Sequence, residues 1–178
     1  MAFRPLRRAD LDQLGRWLNE PHVAAWWELG EGPRAPDGEP VTAEQVEAEY
    51  GDALDDVGPT HVFVILVDGG PVGLIQWYRL PDFPDYAAAV GEPAGAGLDL
   101  FVGDPGHVGR GLGALAIDRF VTSVVFAARD VDRCVAGPDV RNERSIRAFA
   151  SAGFRWARDA TVPGEPAPER VMVRDRER

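Results

Sequence analysis

Three glycines at alternate positions, Gly109, Gly111 and Gly113, separated by Arg110 and Leu112, are the spacing in this chain that most directly suggests chemistry. Glycines set this way let the backbone bend tightly, so that its N–H groups point into one small volume. The run follows an alternating apolar segment, 97–102, and a break at Asp104-Pro105-Gly106, and it feeds an apolar helix predicted from Ala114 to about Phe126. A loop entering a helix N-terminus is a ready anion site, because unsatisfied N–H groups and the helix dipole both favour negative charge. The order strand, glycine loop, helix therefore predicts a phosphate or pyrophosphate at residues 109–114. A plain turn has the same composition and stays open as an alternative. Neither common phosphate signature fits: no Gly-Lys-Ser/Thr follows, and the glycine spacing is not that of a dinucleotide fingerprint.

The bulk charge narrows the partner. A formal net charge of −10 and a pI near 4.7 argue against nucleic acid as the main ligand and for a cationic one. All 19 basic residues are arginine, which excludes Schiff-base and lysine-base mechanisms. His22, His61 and His107 are scattered, without metal-ligand spacing, so no metal is expected. Cys134 is single, sits in an apolar run and reads as a small buried residue, which fits a cytoplasmic protein. No apolar run reaches the roughly 18 residues of a membrane span, so no membrane is expected.

The elements that must position the loop follow from pattern. A length of 178 residues with 45% apolar content predicts one domain with a full core. Phe3–Leu6 reads as a strand, and Asp10 as the N-cap of a helix carrying Leu11, Leu14, Trp17 and Leu18 on one face. Trp26 and Trp27 are adjacent, so at least one should face a surface or cleft unless both pack in an irregular turn; a polar Gly/Pro stretch follows at 30–40. Thr42-Ala43-Glu44-Gln45 has capping-box spacing and starts a helix to about Leu54, with Val46, Tyr50 and Leu54 on one face. Strands at 61–67 and 72–78 are joined by an Asp68-Gly69-Gly70 hairpin turn, and the second puts Gln76 and Tyr78 on one face. Residues 80–96, rich in Pro, Gly and acids, read as a long loop that is either functional or a solvated connection. A strand at 133–137, a helix from Asn142 to Ala152 closed by Gly153, and strands near 155–161 and 169–174 complete the chain.

With the glycine loop after the fourth strand, this order resembles the GNAT superfamily of acetyl-CoA-dependent N-acetyltransferases. Its pyrophosphate loop, Arg/Gln-x-x-Gly-x-Gly/Ala, is matched by Val108-Gly109-Arg110-Gly111-Leu112-Gly113, with valine at the first position. The helix from Asn142 ending in Ala152-Gly153-Phe154 is the second mark. Within the superfamily the likeness sharpens toward aminoglycoside 6'-N-acetyltransferases, through Trp17-Leu18-Asn19, His22, Trp26-Trp27, Tyr50, Gly73, Gln76, Tyr78 and Gly97-Leu98-Asp99. The Trp-Trp pair also resembles siderophore-biosynthetic N-acyltransferases.

The resemblance implies an α/β (α+β) GNAT fold, a mixed, mostly antiparallel sheet of about six to seven strands flanked by about four helices. It implies acetyl-CoA as co-substrate, a small cationic amine as partner, and a monomer or homodimer. Asp99 is then the general base and ammonium anchor, unless it pairs with a buried arginine, and a backbone N–H near Leu100–Phe101 polarises the thioester carbonyl. Phe101, Val102, Val108, Gly109, Arg110, Gly111, Leu112, Gly113, Ala114, Asn142, Arg147 and Phe149 are the implied co-substrate contacts. Trp26, Trp27, Tyr50, Gln76, Tyr78, Asp82, Asp85, Tyr86 and Glu165, with Asp99, are the implied acceptor contacts. Two departures stand out. The tyrosine that many members use to protonate the thiolate is Phe149, and the aspartate that many 6' enzymes carry before the Pro138 turn is Gly137.

Overall fold

A computed structural model describes residues 1–27, 29, 39–54 and 57–177. Most of the 30–40 stretch, residues 30–38, lies outside them. The hairpin turn forms as its sequence requires: Asp68 and Gly69 take φ of 50° and 82°, the left-handed pair of a two-residue turn. It joins β2 (Thr60–Val67) to β3 (Gly70–Arg79), the longest strand and the spine of the sheet. Around them run β1 (Ala2–Pro5), β4 (Ala96–Val102), β5 (Arg133–Ala136), β6 (Arg155–Ala160) and β7 (Glu169–Asp175). The seven strands lie in the order β1-β2-β3-β4-β5-β7-β6, and all pairs are antiparallel except β4–β5.

Helices cover both faces. On one, α5 (Leu112–Ser123) and α6 (Glu143–Ser151) pack against Ile75, Trp77, Ala96 and Leu98. Phe120 is fully buried there, edge-on to Phe3 at 5.0 Å and Phe63 at 5.1 Å; emptying such a site costs about 3–5 kcal/mol. On the other face, α1 (Leu11–Leu18), α2 (Pro21–Ala24) and α3 (Ala43–Leu54) cover Val62, Val64, Leu74 and Phe101. A third apolar group joins Leu80, Ala87 and Val90 to Val135, Val171 and Val173.

Three expectations change. Residues 80–96 are not a loop throughout: Pro84–Val90 forms helix α4, with Pro84 in its first turn and Gly91 closing it at φ 69°. The prolines read as breakers, yet proline at a first helical position starts a helix, and Ala87-Ala88-Ala89 continues it. With α2 and α4 the described helices number six rather than about four. Asp10 precedes α1 without capping it. Its carboxylate accepts two bonds from Arg4, at 2.6 and 2.7 Å, and one from the Arg7 N–H at 2.9 Å, and the Arg4 guanidinium holds it below the usual carboxylate range. The capping box of α3 does form, Thr42 and Gln45 exchanging bonds of 2.8 and 3.2 Å.

Candidate active site

The site begins with a sheet that comes apart. β4 pairs with β3 along its whole length, from Ala96 to Val102, but with β5 only at Ala96 and Gly97. Beyond Gly97 the two parallel strands diverge, and β4 presents an unpaired edge to a gap. Which peptides face it follows from two bonds: Gly103 N–H to the Val72 carbonyl at 2.9 Å, and Leu80 N–H to the Gly95 carbonyl at 3.1 Å. Bonding direction alternates along an antiparallel strand, so the odd-numbered residues of β4 bond β3 and the even-numbered Leu98, Leu100 and Val102 turn toward the gap. Of the expected pair Leu100–Phe101, only Leu100 can offer its N–H there.

A cleft of about 1050 Å³ runs through this gap. At one end stands the N-terminus of α5. Gly109 and Gly111 take φ of 82° and 76°, conformations that L side chains rarely adopt. Gly111 occupies the cap position with no side chain to satisfy the first helical N–H groups, and the first carbonyl bond from within the helix is Leu115 N–H to Gly111 at 3.3 Å. The N–H groups of Leu112, Gly113 and Ala114 are therefore free to receive an anion. Gly109, Gly111, Leu112, Gly113 and Ala114 line the cleft; Val108 and Arg110 do not. Facing them, α6 brings Asn142, Arg147 and Phe149 to the wall. Asn142 spends its side-chain oxygen on the Ser145 N–H at 3.0 Å, capping α6. Arg147 pairs with Glu143 at 3.0 Å, and Phe149 is buried edge-on to Phe154 at 5.2 Å. Arg141 and Arg144, which the sequence did not single out, line the same wall. A gap between strands, a set of N–H donors at a helix start and a cluster of guanidinium groups suit the pantetheine and phosphates of a coenzyme A thioester.

On the opposite sheet face the lining turns acidic and aromatic. Asp99 projects beside Gln76, whose amide donates to it at 3.4 Å, and no arginine pairs with it among the described residues. Burial pushes its carboxyl up to about 6, Gln76 opposes that shift, and Glu165 adds to it. Trp27 donates its indole N–H to the Tyr50 hydroxyl at 3.0 Å and stands edge-on to Phe101 at 4.7 Å. Trp26 is 46% exposed at the rim. Both tryptophans thus reach the cleft. Glu165 lines it, and so do four acids absent from the sequence reading, Glu49, Asp139, Glu143 and Glu169. Tyr78 and Tyr86 lie behind the wall. The Tyr78 ring covers Gly97, where any Cβ would come within 2.2 Å of it. The structure does not bring Asp82 or Asp85 to the cleft: both are exposed, in the turn before α4 and in its first turn. His22 anchors α2, its Nε2 lying 2.9 Å from the Val102 carbonyl.

The profile of the acetyltransferase (GNAT) domain family matches residues 7–162. The aminoglycoside N(6')-acetyltransferase type 1 of Klebsiella pneumoniae is 26% identical over 98% of this chain and 83% of its own length. The lysine N-acyltransferase MbtK of Mycobacterium tuberculosis is 31% identical over 87% of this chain and 69% of its own. The crystal structure of aminoglycoside acetyltransferase AAC(6')-Ib in complex with coenzyme A and kanamycin shares the fold, with a TM-score of 0.78, 24% identity and coverage of 98% and 94% of the two chains.

Proposed function

Because the chain belongs to the GNAT acetyltransferase family, we propose that it moves the acetyl group of acetyl-CoA to an amine of an aminoglycoside antibiotic and so confers resistance. The 6'-amine is the first candidate, and the 2'-amine of kasugamycin-type antibiotics the second. The observation that carries this reading is Asp99, a carboxylate with no cation beside it among the described residues, at the junction of an anion cradle and an acidic, aromatic cleft. A polycationic sugar supplies the missing positive charge, and Trp27, Tyr50 and Trp26 offer flat surfaces for its rings.

The reaction needs a neutral amine, since an ammonium has no lone pair. Asp99 accepts a proton from it, directly or through one water. The amine nitrogen attacks the thioester carbon, and the developing oxyanion is held by the Leu100 N–H facing the gap. The C–S bond breaks as the amide forms, and the second proton that the nitrogen gives up reaches the thiolate, a good leaving group, through water, because Phe149 has no hydroxyl to give. The test is an acetyl-CoA assay on kanamycin, tobramycin and kasugamycin, with mass analysis of the acetylated position and Asp99→Asn alongside. Absence of both transfer and resistance in a sensitive host overturns the reading.

The 31% identity to a lysine N-acyltransferase favours a second reading, transfer to a lysine-derived amine in siderophore synthesis. Hydroxylated lysine in the same panel separates the two. Coenzyme A binding without turnover on any amine brings forward a third, an acyl-CoA sensor.

A further inference from the structure

Two glutamates are buried among the described residues, and they are treated differently. Glu92, 5% exposed, is answered by two guanidinium groups, Arg133 at 3.1 Å and Arg158 at 3.2 Å. Glu169, 8% exposed, has no arginine among the described residues. Its one charge-free partner is the Tyr86 hydroxyl, which donates to Oε2 at 2.8 Å. A buried carboxylate without a counter-charge is costly, and the cost is relieved only by taking up a proton or by a cation arriving from outside. The neighbouring Arg170 does not help: it faces Asp159, at 3.0 Å.

The backbone holds Glu169 deliberately in place. Arg170 N–H bonds the Pro138 carbonyl at 2.8 Å and Val140 N–H bonds Pro168 at 3.0 Å, so Glu169 sits opposite the 137–139 turn that ends β5. Its carboxylate lies over Gly137, where an added Cβ would be 1.8 Å from Oε2 and 2.6 Å from the Tyr86 oxygen. Glycine at 137 is thus the space that this carboxylate occupies. Asp99 stands on β4, and Gly137 follows β5, so the two carboxylates flank the gap through which the thioester reaches the acceptor. Burial raises the Glu169 carboxyl to about 8, the Tyr86 hydroxyl opposes that shift, and the carboxylates of Asp99, Glu165 and Asp139 add to it.

We propose that Glu169 is a second acceptor-binding carboxylate, which, with Asp99 across the gap, selects substrates carrying a further ammonium group near the amine that reacts. This rests on the aminoglycoside reading and narrows it to polyamine acceptors. Tyr86 positions Glu169 by donating to Oε2, which leaves Oε1 as the acceptor for a substrate ammonium.

The test uses wild type, Glu169→Gln, Glu169→Ala and Glu169→Ala/Gly137→Asp, with acetyl-CoA and either kanamycin or the single-amine sugar 6-amino-6-deoxyglucose. Glu169→Gln keeps an acceptor for Tyr86 and the packing over Gly137 while removing the charge. It should raise KM for kanamycin about tenfold or more, with kcat changing less than about threefold and KM for the single-amine sugar less than about twofold. The double variant returns a carboxylate to the same space from the other strand, with the Tyr86 hydroxyl displaced from the Cβ it would otherwise meet at 2.6 Å, and should recover part of the kanamycin KM that Glu169→Ala loses. Equal effects on both acceptors, or no effect on either, overturn the role of Glu169 and leave the aminoglycoside reading standing. If wild type acetylates neither acceptor, calorimetry with spermidine decides. Binding weakened about tenfold by Glu169→Gln retains the carboxylate's role while the aminoglycoside reading falls; binding unchanged by the variant overturns both.

Discussion

The two halves of the cleft are built from different materials. The proposed donor half is chiefly backbone, with N–H groups at the start of α5, the open edge of β4 and a glycine cap within residues 98–114, faced by the arginines and Asn142 of the α6 wall. The acceptor half is side chains, with Asp99 and Gln76 from the sheet, Trp27 and Tyr50 from the α2–α3 region, and Glu165 and Glu169 from the end of the chain. Backbone donors tolerate sequence change provided the chain can take the turn, whereas a side-chain pocket can be rebuilt one residue at a time. The difference suits an enzyme class with one shared donor and many acceptors.

The largest expected effect breaks the acceptor half alone. Asp99→Asn keeps the shape and the Gln76 contact but cannot take a proton, so kcat/KM for the amine should fall about 10²–10⁴-fold. The dissociation constant of coenzyme A should move less than about twofold, within the scatter of a distant site. A matching loss in coenzyme A affinity would show that the halves are not separable.

Gly111→Ala is the converse. A residue with a side chain at φ 76° is strained by about 1–2 kcal/mol, and its methyl group stands beside the free donors of α5. Coenzyme A affinity should drop about tenfold, while amine binding measured in the absence of coenzyme A stays within about twofold. Unchanged coenzyme A binding would remove the glycine loop from the site.

The donor half was legible in the sequence because its determinants are contiguous: Gly109, Gly111 and Gly113 announce the turn, and the apolar run after them announces the helix. Even there, only the register of β4 against β3 separated Leu100 from Phe101 as the inward N–H. The acceptor half was legible in part. Asp99, Gln76 and the tryptophans stood out by resemblance, whereas Glu169, adjacent in sequence to one of many surface arginines, carried no local signal. Its significance comes from a contact across the fold, over Gly137. Asp82 and Asp85 show the reverse error: acids in a proline-rich stretch looked like a cation site, but Pro84 starts a helix that keeps them on the surface.

The pH response sharpens the acceptor half further. Asp99 is raised to about 6 chiefly by burial, so below that pH it is protonated and cannot act as base. For the single-amine sugar, which does not draw on Glu169, kcat/KM should show a rising limb with its midpoint at about pH 6. Glu165→Gln removes a like charge and should move this limb to lower pH; Gln76→Leu removes a stabilising donor and should move it higher. Glu169 gives a stability counterpart. Its carboxyl ionises near 4.5 when unfolded and at about 8 when folded, so the folded state holds the extra proton and stability declines as pH rises across that window. The melting temperature of wild type, compared with Glu169→Gln, should therefore fall between these pH values, and bound kanamycin should reduce the difference. Parallel melting curves would mean that Glu169 has a cation neighbour after all.

The smallest expected effect lies at Asn142, where the two materials meet. Its side-chain oxygen caps α6 through the Ser145 N–H at 3.0 Å, and the residue also lines the donor end of the cleft. Asn142→Ala removes the cap and should cost about 1 kcal/mol, lowering the melting temperature by about 2–4 °C in a chain of this size. Asn142→Asp keeps the cap and favours the helix dipole, so its stability should match or exceed wild type. It also sets a negative charge where phosphates are expected, so coenzyme A affinity should weaken more in Asn142→Asp than in Asn142→Ala. If Asn142→Asp is as unstable as Asn142→Ala, the cap is not what holds the start of α6. If neither variant changes coenzyme A binding, Asn142 serves the helix alone, and the donor half rests on main-chain groups and arginines.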